Sequence, residues 1–442
     1  MSPIKRNRPA TKRATTKRKR RSTPSVEYSM LLTSTLCLLA LGVVMVFSAS
    51  STTQLLGESG DSAFYLKRTL ICVVIGLALM RVLAAKGVTI AQRITPLVLA
   101  IAFALSIVVL VPGIGRSANG SQAWLGAGSV QFQPSELMKV MLIVFGASIL
   151  ARRPQMTRGG IGPLMPFLGV VLCGVGVVVV QDFGTAIVMC LAVGALLTAA
   201  GARIRDLAVM AGVLAAVAML AVMLEPYRME RLTSFLNPSA DPGGAGFQLI
   251  QAKLALGSGG LFGVGLGESL QKAFYLPEAH TDMIGAVIGE ELGMVGIAGL
   301  LGLYGMFGYA GLRIAKSARN RYTKLLAAGL TSLILIQAMV NLLALLGVAP
   351  LTGVPLPFVS YGNSSMLVML GAVGILLNIA ANPGAKLRVV DGGRAKINER
   401  RNSRNKRVPP AASSSTGASG NRRGRNRRAR GTGAGGRRRA TG

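Results

Sequence analysis

The chain is poor in acidic residues, in histidine and in aromatics. Its 442 residues hold 16 Asp and Glu against 49 Lys and Arg, one His, one Trp and four Cys, and 5% are aromatic. One His among scattered carboxylates matches no zinc-ligand spacing, which leaves a zinc centre without support. Cys37, Cys72, Cys173 and Cys190 all fall inside long apolar runs, so no disulfide framework is expected. No Walker-type phosphate loop occurs. No loop on the basic side of the chain is large enough for an ATPase domain.

What is present in excess is apolar sequence. Hydrophobic residues make up 51% of the chain, and the mean hydropathy is +0.52. Several runs reach the roughly 20 residues that a helix needs to cross a bilayer. Candidate spans are 30–49, 69–85, 95–112, 135–151, 163–180, 183–200, 207–224, 283–312, 325–347 and 365–382. The fold class is therefore an all-α polytopic integral membrane protein of about ten transmembrane helices. The first run has a basic flank but no clear small-residue cleavage site, and reads as an uncleaved helix.

The net charge of +33 is concentrated at the ends. Residues 1–22 carry ten Lys/Arg and no acid, and residues 383–442 carry eighteen against Asp391 and Glu399. Three regions follow: a basic tail over 1–29, a membrane domain over 30–382, and a second basic tail over 383–442. Both tails lack the composition of a packed core and are expected to be disordered. They suit anionic lipid surfaces. Nucleic acid is not expected, because no aromatics interleave the charges. Arg81, Lys86, Arg152, Arg153, Arg203, Arg205, Arg313, Lys316, Arg319, Arg321 and Lys324 cluster at alternate span ends. This positive-inside pattern, with an even number of spans, places both termini in the cytoplasm of a cell whose cytoplasmic membrane holds the protein. The long extracytoplasmic segments are then 51–67, 113–134, 348–364 and, longest, 225–282 between helices seven and eight. Within the last, Phe247 to Leu256 reads as a short interfacial helix, and the glycines from Gly257 to Gly267 read as a turn.

Ionisable residues at or within membrane spans are functional candidates by default. Glu136 and Lys139 share one helix face at the start of span four, where a simple ion pair would also explain them. Asp182 sits where it would cap span six. Glu278, His280 and Asp282 gather at the mouth of span eight, where Thr281 or Asp282 could be the helix cap. Glu290 and Glu291 lie two turns inside that span. A cap does not explain them, and a polar cavity between helices would.

Five stretches carry a likeness. They are LGVVMVFSASS (Leu41 to Ser51), SQAWLGAGSVQFQPSELMK (Ser121 to Lys139), QDFGTA (Gln181 to Ala186), the run from RLTSFLNP (Arg231 to Pro238) through GSGGLFGVGLG to YLPEAHTDMIGAVIGEELG (Tyr275 to Gly293), and TGVPLPFVSYGNSS (Thr352 to Ser365). Over roughly 30–382 the chain resembles the SEDS family (shape, elongation, division and sporulation), the FtsW/RodA/SpoVE group. It departs from the usual pattern at Gln181, where the family has Pro, at Met283 and Gly285, where it has aromatics, and at Asn363, where it has Gly. The resemblance implies a peptidoglycan glycosyltransferase that polymerises lipid II on the outer face of the cytoplasmic membrane. It implies Asp282 as the essential acid, with Glu136, Lys139, Asp182, Arg231 and Trp124 at substrate-binding positions. It also implies a class B penicillin-binding protein and other division proteins as partners. The stretches MVFSASS and GDSAFYLKR resemble the division branch, hence a role at the septum. No cofactor is certain, and a divalent cation such as Mg or Mn is compatible with a pyrophosphate leaving group. The alternatives are a lipid II flippase and a non-catalytic division scaffold. The long outer loop favours chemistry on one face over transport.

Overall fold

The computed structural model describes residues 25–382, apart from 57–60, 119–120, 128–129, 224, 245 and 273–274. The expectation of disorder in the two basic tails therefore lies almost wholly outside the described residues. The elements run α1 (Val26–Leu56), α2 (Phe64–Val109), β1 (Arg116–Ala118), β2 (Ser121–Ala127), β3 (Val130–Phe132), α3 (Pro134–Arg152), α4 (Gln155–Arg158), α5 (Ile161–Gln181), α6 (Phe183–Ala200) and α7 (Ile204–Met223). They continue with α8 (Pro226–Leu236), α9 (Phe247–Ser258), α10 (Ile284–Ser317), α11 (Arg321–Leu345) and α12 (Asn363–Ala381). Among the described residues, nine of these helices are long and apolar enough to cross a membrane. The chain is a multi-pass helical membrane protein.

Nine helices and ten expected spans are reconciled by α2. At 46 residues, a straight helix would be about 69 Å long and would end on opposite sides of a membrane. Both its ends instead reach the same rim of the bundle. Tyr65 packs on Tyr361 with ring centroids 4.7 Å apart, and Ser106 accepts a hydrogen bond from Gln181. Tyr361 and Gln181 are joined through the start of α12: Ser364 Oγ accepts from Gln133 N at 3.0 Å, and Gln133 Nε2 donates to Asp182 at 3.1 Å. The element bends back in its middle. There Asn378 of α12 accepts from Val88 N at 3.4 Å and donates to Ala84 O at 2.8 Å. Its amide thus stands between the two ends of an i, i+4 backbone pair, an insertion that bends helices. Gly87 and Pro96 lie in the same stretch. One element thereby supplies two crossings, the second and third.

The bundle is organised around α11, which packs against α3, α6, α10 and α12. Helix α7 is largely exposed, with only Asp206 and Val222 buried. The segment before α3, expected as a long outer segment over 113–134, holds a small antiparallel sheet in the order β1-β2-β3.

Two irregular segments enter the bundle. Gly293 breaks α10 with φ 64 and ψ −161, backbone angles essentially restricted to glycine. The break frees the carbonyls of Glu290 and Glu291 and the amides of Met294 and Val295. The glycine-rich stretch after α9 satisfies all four. Val264 N donates to Glu290 O at 2.9 Å, Gly265 N to Glu291 O at 3.1 Å, Met294 N to Gly260 O at 3.0 Å and Val295 N to Leu261 O at 3.2 Å. Side chains would not fit, since a Cβ on Gly293 would lie 2.3 Å from Gly263 N. The second segment follows α11. Expected as an outer loop over 348–364, it dips inward instead, with Val354, Leu356, Phe358, Val359 and Ser360 buried. Its carbonyls find side-chain donors from the helices around it: Asn341 to Val354 O at 2.8 Å, Gln337 to Pro355 O at 2.9 Å and Tyr304 to Pro357 O at 2.5 Å.

Gly293→Ala combines a backbone penalty of roughly 1–3 kcal/mol with that collision. It is expected to lower the thermal unfolding midpoint in detergent. Gly299→Ala, where an added Cβ meets open space, is expected to leave the midpoint unchanged. Equal midpoints for the two variants would show that the loop does not depend on the break.

Candidate functional site

Asp282 lies in the turn that leads into α10 and is 9% exposed. The turn is held from three sides. Asn341 Nδ2 donates to Asp282 O at 2.8 Å, and Tyr361 N donates to His280 O at 3.0 Å. The His280 ring stacks 4.4 Å from that of Tyr65. The sequence left open a capping role for Thr281 or Asp282. The structure corrects this: Met283 is the N-cap of α10, and no side chain caps it. The Asp282 carboxylate is thus not committed to the helix.

The Thr281 hydroxyl lies 2.6 Å from Glu278 Oε2 and 3.3 Å from Asp282 Oδ1, so the two carboxylates share one donor. Burial pushes the Asp282 carboxyl up to about 6. The negative charge of Glu278 adds to the rise, and the Arg231 guanidinium opposes it. His280 is held below its usual range, chiefly by burial and against the pull of Glu278. Arg231, on α8, donates to Leu351 O at 3.3 Å. It lines a cavity of about 250 Å³ together with Glu230, Phe235, Gln248 and Pro277. A carboxylate of raised basicity thus lies within electrostatic reach of a guanidinium that lines an open hollow. That combination suits proton abstraction next to an anionic group.

The other expected positions lie deeper or to one side. Glu136 and Lys139, in the first turns of α3, are 0% and 1% exposed and form an ion pair at 2.8 Å. Lys139 Nζ also donates to Gln337 Oε1 at 2.7 Å. Gln337 in turn holds Pro355 O, which ties the pair to the segment beneath Asp282. Glu136 Oε2 is buried without a hydrogen-bond partner among the described residues. Asp182 caps α6, accepting from Thr185 N at 3.0 Å and from the Thr185 hydroxyl at 2.6 Å. Trp124 is half-buried on β2, opposite Arg116 of β1. The structure therefore brings Asp282 and Arg231 together and links Glu136 and Lys139 to them through Gln337. It leaves Asp182 and Trp124 on the side of the small sheet.

Glu290 and Glu291, for which the sequence suggested a polar cavity, are buried and engaged by partners from the loop and α1. Glu290 accepts from the Ser269 hydroxyl and from Leu270 N, the latter at 3.1 Å. Glu291 pairs with Lys272 at 2.8 Å and accepts from Ser48 at 2.6 Å. Both acids fasten the chain after the glycine-rich stretch to the broken helix, and Ser48 brings in α1. Lys272, Gln337 and Asn341 were missed at the sequence level. Gln337 and Asn341 were visible in principle, as two amides four residues apart in an apolar span. Lys272 gave no signal, because its partner lies 19 residues away.

Asn341→Leu keeps the approximate size but orphans Asp282 O and Val354 O. Each loss is expected to cost about 1–3 kcal/mol, read as a lower unfolding midpoint. An unchanged midpoint would show that the amide does not hold the turn.

Comparison with known proteins agrees with this architecture. The family profile described as "Cell cycle protein", covering FtsW, RodA and SpoVE, matches residues 28–384. The chain is 40% identical over 353 residues to stage V sporulation protein E of Bacillus subtilis, covering 79% of this chain and 96% of that protein. It is 38% identical over 372 residues to a probable peptidoglycan glycosyltransferase FtsW of Trichlorobacter lovleyi, covering 84% and 97%. Among solved structures, a chain from work on polymerization and crosslinking by a peptidoglycan synthase complex superposes with a TM-score of 0.66 at 31% identity, over 80% of this chain and 98% of that one. The rod shape determining protein RodA of Thermus thermophilus gives 0.58 at 27% identity, over 80% and 97%. With a profile that spans the whole membrane domain and relatives matched over nearly their full lengths, the chain belongs to the FtsW/RodA/SpoVE family of cell cycle proteins.

Proposed function

We propose that this protein is a peptidoglycan glycosyltransferase that polymerises lipid II, with Asp282 as general base, in septal wall synthesis. The observation that supports this is the buried Asp282 carboxylate, raised to about 6, within electrostatic reach of Arg231. In the reaction a sugar hydroxyl of one lipid-linked disaccharide attacks the anomeric carbon of another. A C–O bond forms there, the bond to the pyrophosphate oxygen breaks, and undecaprenyl pyrophosphate leaves. Asp282 takes the hydroxyl proton as the new bond forms, a role worth roughly 10²–10⁴-fold in rate. A carboxyl near 6 is largely ionised at neutral pH yet more basic than an ordinary aspartate. Arg231 faces the charge that develops on the departing pyrophosphate. Glu136, Lys139 and Gln337 support the floor of the site, while Asp182 and Trp124 shape its flank.

Glu278, beside Asp282, would offer a hard-oxygen ligand to a divalent cation such as Mg²⁺ or Mn²⁺, leaving Asp282 as the base. Bound there, such an ion would neutralise charge on the leaving group.

The orientation that suits this chemistry puts both termini in the cytoplasm and Asp282 outside. The basic ends Arg152, Arg203, Arg205, Lys316 and Arg321 belong to the loops on the rim away from Asp282, as the positive-inside rule requires. A class B penicillin-binding protein would supply crosslinking, in line with the synthase complex that this fold resembles. The basic tails would lie on anionic cytoplasmic lipid.

Asp282→Asn is expected to fold normally and to lose glycan polymerisation from purified lipid II by about 10²–10⁴-fold. Near wild-type polymer on a gel would remove Asp282 as the base. The pH profile is a second test. A base acts only when deprotonated, so turnover should fall as pH drops through about 6. Arg231→Gln removes a charge that lowers the Asp282 pKa and should move the midpoint upward. An unmoved midpoint would uncouple Arg231 from the base.

A further inference from the structure

The glycine-rich stretch that fills the break in α10 has a second face. Leu261, Phe262, Val264 and Leu266 all point away from the protein, Phe262 with 78% of its surface exposed. No charged residue lies between Lys253 and Glu268. An apolar, uncharged loop tip would be costly in water and is natural in lipid. Its height is fixed by its own hydrogen bonds, which tie Gly260, Leu261, Val264 and Gly265 to the backbone of Glu290 to Val295. Glu291 meets Ser48, and Ser48 lies within the apolar crossing Val26–Thr52 of α1, a few residues from its end. At the same height Phe47 of α1 and Met294 and Val295 of α10 are exposed. These belong to membrane-crossing helices and face lipid. The loop tip therefore continues a surface already in contact with the bilayer.

We infer that residues 261–266 form a re-entrant loop whose side chains insert among the acyl chains of the leaflet on the Asp282 side. Irregular backbone at membrane depth is tolerated only where its polar groups are satisfied by protein. Here Gly260 O, Leu261 O, Val264 N and Gly265 N bond to the α10 break, and Gly263 N to Gly259 O, so the protein satisfies much of the loop's backbone while its side chains face outward. The loop pins the broken helix at the bilayer boundary. Asp282 stands about eleven residues before the break, with Ile284 to Gly293 rising between them as helix over roughly 14 Å. The insertion thus sets the height of the carboxylate above the acyl region, where the headgroup of a lipid-linked substrate would lie. This inference does not rest on Asp282 being a catalytic base.

The single Trp of the chain makes a direct test available. The full-length double variant Trp124→Phe/Phe262→Trp is reconstituted in nanodiscs, beside Trp124→Phe/Glu268→Trp. Quenching is compared between brominated phosphatidylcholine in the disc and iodide in the buffer. The indole replacing Phe262 should lose most of its emission to brominated lipid and little to iodide, and the one replacing Glu268 should behave in the opposite way. Quenching of the first by iodide would place the loop in water. Resistance to both quenchers would place it under protein, and either result overturns the inference. Trp124→Phe/Leu266→Trp repeats the measurement if the Phe262 variant unfolds at a lower temperature than its parent.

Discussion

A buried backbone amide or carbonyl without a partner is costly, and more so in a bundle set in lipid, where water cannot reach it. Nearly every unusual feature of this chain answers that constraint. Where Gly293 interrupts α10, four backbone groups would be orphaned, and the stretch from Gly260 to Gly265 supplies four complements. Where residues 354–358 run through the core without regular structure, Asn341, Gln337 and Tyr304 supply donors. The glycines permit close approach in the first case, and amide and phenol side chains reach the carbonyls in the second.

The site is a consequence of these two insertions. The segment after α11 gives Asn341 a carbonyl to hold on one side, and the same amide holds Asp282 O on the other. The acids at Glu290 and Glu291 are consumed in fastening the loop that fills the break. Asp282 shares the Thr281 hydroxyl with Glu278, and burial, aided by the charge of Glu278, raises its basicity. Buried ion pairs seldom add net stability over apolar packing, but losing one partner is severe. Glu136–Lys139 and Glu291–Lys272 therefore serve mainly to specify which helices meet. The first joins α3 to α11 through Gln337, and the second joins α10 to α1 through Ser48.

Much of this was legible in the residues. The apolar runs located the crossings to within a few positions, and α9 falls where Phe247 to Leu256 suggested a short helix. Asp182 caps α6, as its place before that span indicated. The errors have specific physical causes. Hydropathy separates two crossings in 69–112 at the polar stretch around Lys86, Gln92 and Arg93, but does not show that this stretch is itself helical. The segment 348–364 looked like an outer loop because prolines and glycines break helices wherever they lie, and its donors come from helices distant in the chain.

The sequence by itself determined how many times the chain crosses the membrane, which ends carry positive charge, and which family signature it bears. Those properties follow from the cost of transferring each segment into lipid, and that cost is additive along the chain. Tertiary structure alone decided which acids fasten the loop and which carries raised basicity near Arg231. Glu278, Asp282, Glu290 and Glu291 lie within 14 residues of one another, and local sequence does not rank them. Their roles depend on Ser269 and Lys272 in the same loop, on Ser48 from α1, and on Arg231 from α8. Electrostatic environment is set by what surrounds a group in space, and only the folded bundle brings those partners within reach.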